Sequence, residues 1–278
     1  VLYLTEGKAE IGAFADYNRT INGEGASYDN PVIPAGYAPV NDGGNWGDGG
    51  EVKPEWNEGL VIENVKGDQF VWVPVDRREV SYEKWTERGI SYKEAGESEI
   101  PSIVEEWEEN EKTQVSKYGG YYIGRYETGK GESEEGTSIV EIQEGSEIWT
   151  DINYKEAKEK AEGFEQRENV QSGLITGTQW DTVMKWIANE KGEGAIENNS
   201  EDWGNYNGNI EEIRSAKNIY GLAGSRWEWS SEKFGEEQRI YRSGVYTNSG
   251  TDSPAGYRGA YDQERRDAGT SYRIVLYV

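Results

Sequence analysis

The 278 residues carry 53 acidic against 29 basic side chains, a net charge of -24, which repels nucleic-acid phosphates and anionic lipid surfaces. No Cys and no His occur, which excludes disulfides, thiol nucleophiles, structural zinc, haem ligation by His and Ser-His-Asp triads. With 11 Trp, 19 Tyr and 36 Gly against 4 Phe and 1 Met, the chain is expected to be turn-rich and irregular, with amphipathic rings serving core and binding surface alike.

Residues 1 to 58 are dominated by turn formers, notably Gly36-Tyr-Ala-Pro-Val-Asn-Asp-Gly-Gly-Asn-Trp-Gly-Asp-Gly-Gly50, and read as an N-terminal extension or assembly arm. Residues 59 to 278 read as one domain. Its first strand is the β-branched and aromatic run Gln69-Phe-Val-Trp-Val-Pro-Val75, bounded by Gly67-Asp68. The pattern Ser102-x-x-Glu105 ahead of Trp107 predicts a short solvated helix. Gly119-Gly-Tyr-Tyr-Ile-Gly-Arg-Tyr-Glu127 alternates as a central strand should.

Tyr154, Ala157 and Ala161 make one face of a helix over 153–162 that Gly163 is expected to close. Thr178-x-x-Asp181 is expected to cap a second helix, whose Trp180, Val183, Met184 and Ile187 recur at core spacing. A polar loop follows from Gly192 to Ile213, then strands at Ser225 to Ser231, Arg239 to Tyr246 and Ser271 to Val278. No apolar run is long enough to span a bilayer, and Val1-Leu-Tyr-Leu is too short for a signal-peptide core.

Several segments taken in order resemble the formylglycine-generating enzyme (sulfatase-modifying factor) family. They are Phe70-Val-Trp-Val-Pro, Tyr121-Tyr-Ile-Gly-Arg-Tyr-Glu, the Tyr154 to Ala161 helix, Leu174-Ile-Thr-Gly-Thr-Gln-Trp-Asp181, Gly221-Leu-Ala-Gly-Ser-Arg-Trp-Glu-Trp-Ser230, Arg242-Ser-Gly and Tyr272-Arg273. The resemblance implies an α+β, C-type-lectin-like fold with a small antiparallel sheet, two main helices and much irregular loop. The copper-binding cysteine pair of that family and the histidine-rich iron site of the related sulfoxide synthases have no counterpart here, so a pseudo-enzyme without cofactor or metal is expected. The calcium carried by some relatives would meet only Glu228 and carbonyls, because Gly221 and Ser225 stand where the family offers oxygen ligands.

The same scaffold resembles the variable proteins of diversity-generating retroelements, whose C-terminal segment is rewritten at adenines. That likeness points to residues 225 to 272 as a variable region. Tyr, Ser, Asn and Gly there have a paratope-like composition, although any such loop looks this way. The expected ligand-binding residues are Ser225, Arg226, Tyr241, Ser243, Val245 and Tyr246, followed by Thr247, Asn248, Tyr257, Tyr261, Asp262 and Tyr272. Trp227, Trp229, Arg242 and Arg273 are assigned to scaffold.

The expected partner is a protein or other surface macromolecule, with neither nucleic acid nor membrane insertion, at an extracellular or virion-associated location. A fixed-specificity adhesin or pilus-associated module and an enzyme working by carboxylates alone stay open beside it.

Overall fold

A computed structural model describes residues 11–12, 26–40, 46, 55–75, 109–167 and 169–278. The run Gln69–Pro74 shows no alternation of apolar and polar residues, because both of its faces are covered. Around it the chain builds a mixed α+β architecture. In chain order, β1 (Ile11–Gly12) pairs with β2 (Ile33–Pro34), and β3 (Tyr37–Val40), β4 (Val61–Asn64) and β5 (Gln69–Pro74) follow as neighbours. Helix α1 (Glu109–Tyr118) leads into β6 (Gly120–Gly124) and the hairpin β7 (Gly129–Glu132) and β8 (Ser138–Glu141). Helix α2 (Tyr154–Phe164) precedes β9 (Gln166–Arg167) and β10 (Val170–Leu174); helices α3 (Gly177–Lys191) and α4 (Glu193–Glu197) come next. The remaining strands are β11 (Ser215–Ala216), β12 (Ile219–Tyr220), β13 (Trp227–Phe234), β14 (Gln238–Arg242), β15 (Arg258–Asp262), β16 (Thr270–Tyr272) and β17 (Ile274–Tyr277).

Two sheets matter for function. One runs β3-β4-β5-β6-β17-β10-β9, seven strands where a small sheet was expected. Successive residues of its strands feed two cores: Val71, Val73, Ile123 and Val275 pack with Trp180, Val183 and Ile187 of α3. Phe70, Trp72, Tyr122 and Leu276 pack on the other side with Ala157 and Ala161 of α2 and with Trp229 and Tyr241 of the second sheet. That second sheet is β15-β14-β13-β16, antiparallel except for the parallel β13–β16 pair.

The composition-based boundary at residue 58 cuts through this body. Strand β3 pairs with β4, and Val32, Ile33, Tyr37 and Trp46 are buried. Trp46 Nε1 donates to the Val61 carbonyl at 2.7 Å, Trp72 Nε1 to that of Tyr28 at 2.9 Å and the Tyr122 hydroxyl to that of Val32 at 2.8 Å. Turn-rich composition therefore marks an irregular path here, with buried backbone groups paired by aromatic N–H and O–H donors.

Helix ends also differ from expectation. Asn153 caps α2 by accepting from the Glu156 amide at 3.0 Å, and the helix runs through Gly163 to Phe164. Thr176, two residues earlier than expected, caps α3. Its hydroxyl accepts from Gln179 N, and the Gln179 carboxamide accepts from Thr176 N, a reciprocal box that Thr178 and Asp181 do not form. Asp181 is used elsewhere, in the charged core described below. The expected start near Ser102 lies outside the described residues; α1 occupies Glu109–Tyr118.

Candidate functional site

The C-terminal strand changes sheets at Arg273. Strand β16 lies beside β13, whereas β17 lies between β6 and β10. The fully buried Arg273 guanidinium bridges the two: Nε donates to Glu228 Oε2 at 2.9 Å and Nη2 to Oε1 at 2.6 Å, while Nη1 and Nη2 also reach the Gly124 and Tyr220 carbonyls. Both Glu228 oxygens are thus engaged by one cation. The residue expected to hold a metal in related proteins is here an internal salt-bridge partner.

Next to this fork sits a second acid. Glu127, 6% exposed, accepts from the Ser225 hydroxyl at 2.6 Å and from that of Ser271 at 3.1 Å. Burial, with Glu228 adding a repulsion that Arg273 only partly offsets, pushes its carboxyl up to about 8. Glu127 is therefore largely protonated at neutral pH. It lines a cleft of about 440 Å³ with Glu144, Glu211, Glu212 and the stacked rings of Tyr126 and Tyr220. Ser225 reaches it from a left-handed backbone, φ 58°, and Gly221 approaches so closely that a Cβ there would lie 2.9 Å from the carboxylate. The contact of Ser225 with Glu127 links positions 98 residues apart.

A four-charge core locks the other end of the second sheet onto α3. Asp181 accepts from Arg242 Nη2 at 2.7 Å and Arg258 Nη2 at 2.5 Å, and Arg258 also reaches both Glu232 oxygens at 3.2 Å. All four side chains are buried. Burial and the neighbouring Arg258 lower Arg242 to about 10, so it remains a cation at neutral pH. Gly177 opens α3 where any Cβ would fall within 1.8 Å of Glu232, which is why a glycine stands there.

The opposite face of the same sheet is aromatic. Trp227 lies 5.0 Å from Tyr241 and 5.9 Å from Tyr261; Tyr241 and Tyr261 stack at 4.4 Å, and Tyr257 lies 6.1 Å from Tyr241. Gly259 makes room for the Tyr241 ring, which a Cβ would meet at 2.0 Å. Tyr241 and Tyr257 are buried, whereas Trp227 and Tyr261 are half-buried. The Arg265 guanidinium lies 3.5 Å from the Tyr261 ring centre, and Arg226 lies 4.4 Å from that of Tyr246.

The structure divides the expected ligand residues into two sets. Ser225, Ser243, Val245 and Tyr272 are enclosed, and Ser243 donates to the Leu222 carbonyl at 2.9 Å. Tyr241 and Tyr257 form the base of the aromatic stack. Surface is offered by Arg226, Tyr246, Thr247, Asn248, Tyr261 and Asp262. Composition could not separate the sets, since a hydroxyl closing a buried hydrogen bond and one meeting a partner are the same residue type. Trp227, assigned to scaffold, is half-buried beside Tyr261, and Arg265 is exposed. Glu127 and the cleft beside it had no local sequence signal, because they depend on that long-range contact with Ser225. Trp229, Arg242 and Arg273 are buried, in the framework role expected of them.

Scans against protein-family models and against curated proteins return no match. Among solved structures the chain is similar to Treponema denticola variable protein 1, at 12% identity over 58% of this chain and 85% of that one, with a TM-score of 0.41. It is similar to PvdO from Pseudomonas aeruginosa at 13% identity, over 58% of this chain and 82% of that one, TM-score 0.40. The likeness to CarF is 14% identity over 39% of this chain and 48% of that one, TM-score 0.32. Function is therefore read from the geometry of this chain's own residues.

Proposed function

We propose that this chain is a non-catalytic binding protein, which holds a macromolecular partner against the exposed rim of the aromatic stack and the adjoining 246–248 loop. The observation that carries this reading is the half-buried pair Trp227 and Tyr261, both seated on the buried Tyr241 ring, which Tyr257 backs in turn. Rigid rings with a wet edge, flanked by arginines and by short polar side chains, supply contact area at low entropic cost. In its finer form the proposal is a retroelement-diversified variable protein displayed outside the cell or on a virion. Change at Arg226, Tyr246, Thr247, Asn248, Tyr261 and Asp262 then alters specificity, while the enclosed Ser225, Ser243 and Tyr272 stay fixed.

Sequencing the locus in several isolates tests this. The expected finding is a near-copy of the segment for residues 225–272 beside a reverse transcriptase, with substitutions concentrated at those six surface positions. An invariant locus without such a copy points instead to a fixed-specificity adhesin or pilus-associated module. Substitutions falling equally on buried and exposed positions would refute the assignment of the surface.

One observation favours a second reading. Glu127 is a protonated acid at a cleft, the kind of perturbed carboxyl found in general acids. Hydrolysis by paired carboxylates also needs a free base, and Arg273 occupies both oxygens of the neighbouring Glu228. That arrangement supports binding over turnover.

A further inference from the structure

The β7–β8 hairpin presents an open main-chain edge. The Lys130 amide donates to the Glu147 carbonyl at 2.7 Å, away from β8, and Lys130 stands opposite Val140. In an antiparallel ladder this makes Val140 and, two residues away, Ser138 positions whose N–H and C=O point outward from β7. Among the described residues these outward groups meet no backbone partner. Two residues further on, the same edge is satisfied by β5's approach: the Ile142 amide donates to Asp68 Oδ1 at 2.9 Å, and the Gln69 amide to the Ile142 carbonyl at 2.9 Å. The edge is thus half-paired, and its open half borders a groove of about 690 Å³ walled on the far side by Lys160 and Phe164 of α2.

Two apolar side chains flank that groove in the open, Val65 at 96% exposure and Ile139 at 39%. Lys66 and Lys160 also line it, and neither has a carboxylate partner among the described residues, although acids outnumber bases 53 to 29 in the chain; Lys160 lies over the Trp149 ring at 4.1 Å. Of the acids in the groove, Glu165 is ion-paired with Arg167, whereas Asp68 and Glu141 accept hydrogen bonds from the Ile142 amide and the Ser146 hydroxyl.

We infer that this groove binds an extended peptide segment of a partner protein, which adds as a strand to the β8 edge with an apolar side chain against Val65, Ile139 and Phe164 and a carboxylate near Lys66 and Lys160. Unpaired main-chain groups select an extended backbone, and the lysines select the sign of its flanking charge. Four residues of strand span roughly 13 Å, the length of β8.

The test uses the full chain and two end-capped, dye-labelled pentapeptides, Glu-Val-Ile-Val-Glu and Lys-Val-Ile-Val-Lys, titrated by fluorescence anisotropy. The acidic probe is expected to saturate with a Kd on the order of 100 µM, with the basic probe roughly tenfold weaker. Val140→Pro deletes the outward donor while sparing the β7 ladder, and it is expected to weaken the acidic probe at least roughly tenfold. Val65→Asp, at a side chain with no packing role, is expected to do the same if the proline variant fails to fold. No saturation by the acidic probe, equal binding of both probes, or unchanged binding by Val65→Asp overturns the proposal. A concentration-dependent dimer in sedimentation that Val140→Pro abolishes overturns it in favour of self-pairing.

Discussion

Replacing Glu127 by Gln should convert a pH-dependent protein into one that is nearly indifferent to pH across the neutral range. Glu127 has a folded value near 8 against a reference of 4.5, and Glu228, Arg273 and Arg226 are the charged groups that act on it. The protonated form is the one the fold prefers, so the contribution of this group is complete below pH about 4.5, is lost as pH rises towards 8, and is flat above that. A difference of about 3.5 units corresponds to about 5 kcal/mol as an upper figure. With no His and no Cys in the chain, few other side chains titrate in that window; burial raises the Glu228 carboxyl too, and Arg273 opposes that rise. The amide is isosteric with the neutral acid: its oxygen can accept from one of Ser225 and Ser271, while its NH2 donates to the hydroxyl of the other. Urea unfolding followed by tryptophan fluorescence at about pH 5 and about pH 8.5 reads the effect. The two proteins should match at the lower pH, and the variant should be more stable at the higher one by several kcal/mol. Parallel stability curves, or a variant less stable at the higher pH, would show that the carboxyl is ionised in the fold and refute the reasoning.

Other substitutions probe the framework. Arg273→Lys keeps the charge but loses the fork to Glu228 and the reach to two carbonyls, and should lower unfolding free energy by about 3–5 kcal/mol; a loss below about 1 kcal/mol by urea titration counts against the buried bridge. Asn153→Ala should cost about 1 kcal/mol through the lost α2 cap, whereas Gly163→Ala, where an added Cβ meets nothing within 4 Å, should gain about 0.5–1 kcal/mol. If thermal denaturation shows Gly163→Ala to be destabilising, the helix ends at 162 after all. Gly59→Ala combines φ 84° with a Cβ only 2.1 Å from the Lys217 carbonyl and should cost more than about 2 kcal/mol, a loss that a normal melting temperature would contradict.

The aromatic runs, the two main helix faces and the central placing of Gly119 to Gly124 were legible because each is a local pattern of side chains meeting one core. Residues 26–40 and Trp46 read as an arm because such irregular chain carries no periodicity; tryptophan and tyrosine hydrogen bonds spanning 15 to 90 positions hold it to the sheet. The expected site residues divide between buried and surface positions for a similar reason. Tyr261 and Tyr246 reach the surface while Tyr272 and Ser243 do not, and nothing in their immediate neighbours marks the difference.

By itself the sequence determined the chemistry that is available. Without an imidazole or a thiol it offers no Cys or His nucleophile or metal ligand, and its large acidic excess sets the sign of its field before any fold is known. Only the tertiary structure decided where the remaining groups act. It buried Glu127 beside Glu228, paired Glu228 with Arg273, left Trp227 and Tyr261 half-buried, and left half of the β8 edge without a backbone partner among the described residues. The reason is physical: residue type fixes what a side chain can do, but its charge state and accessibility are set by neighbours that the chain brings together across tens to more than a hundred residues.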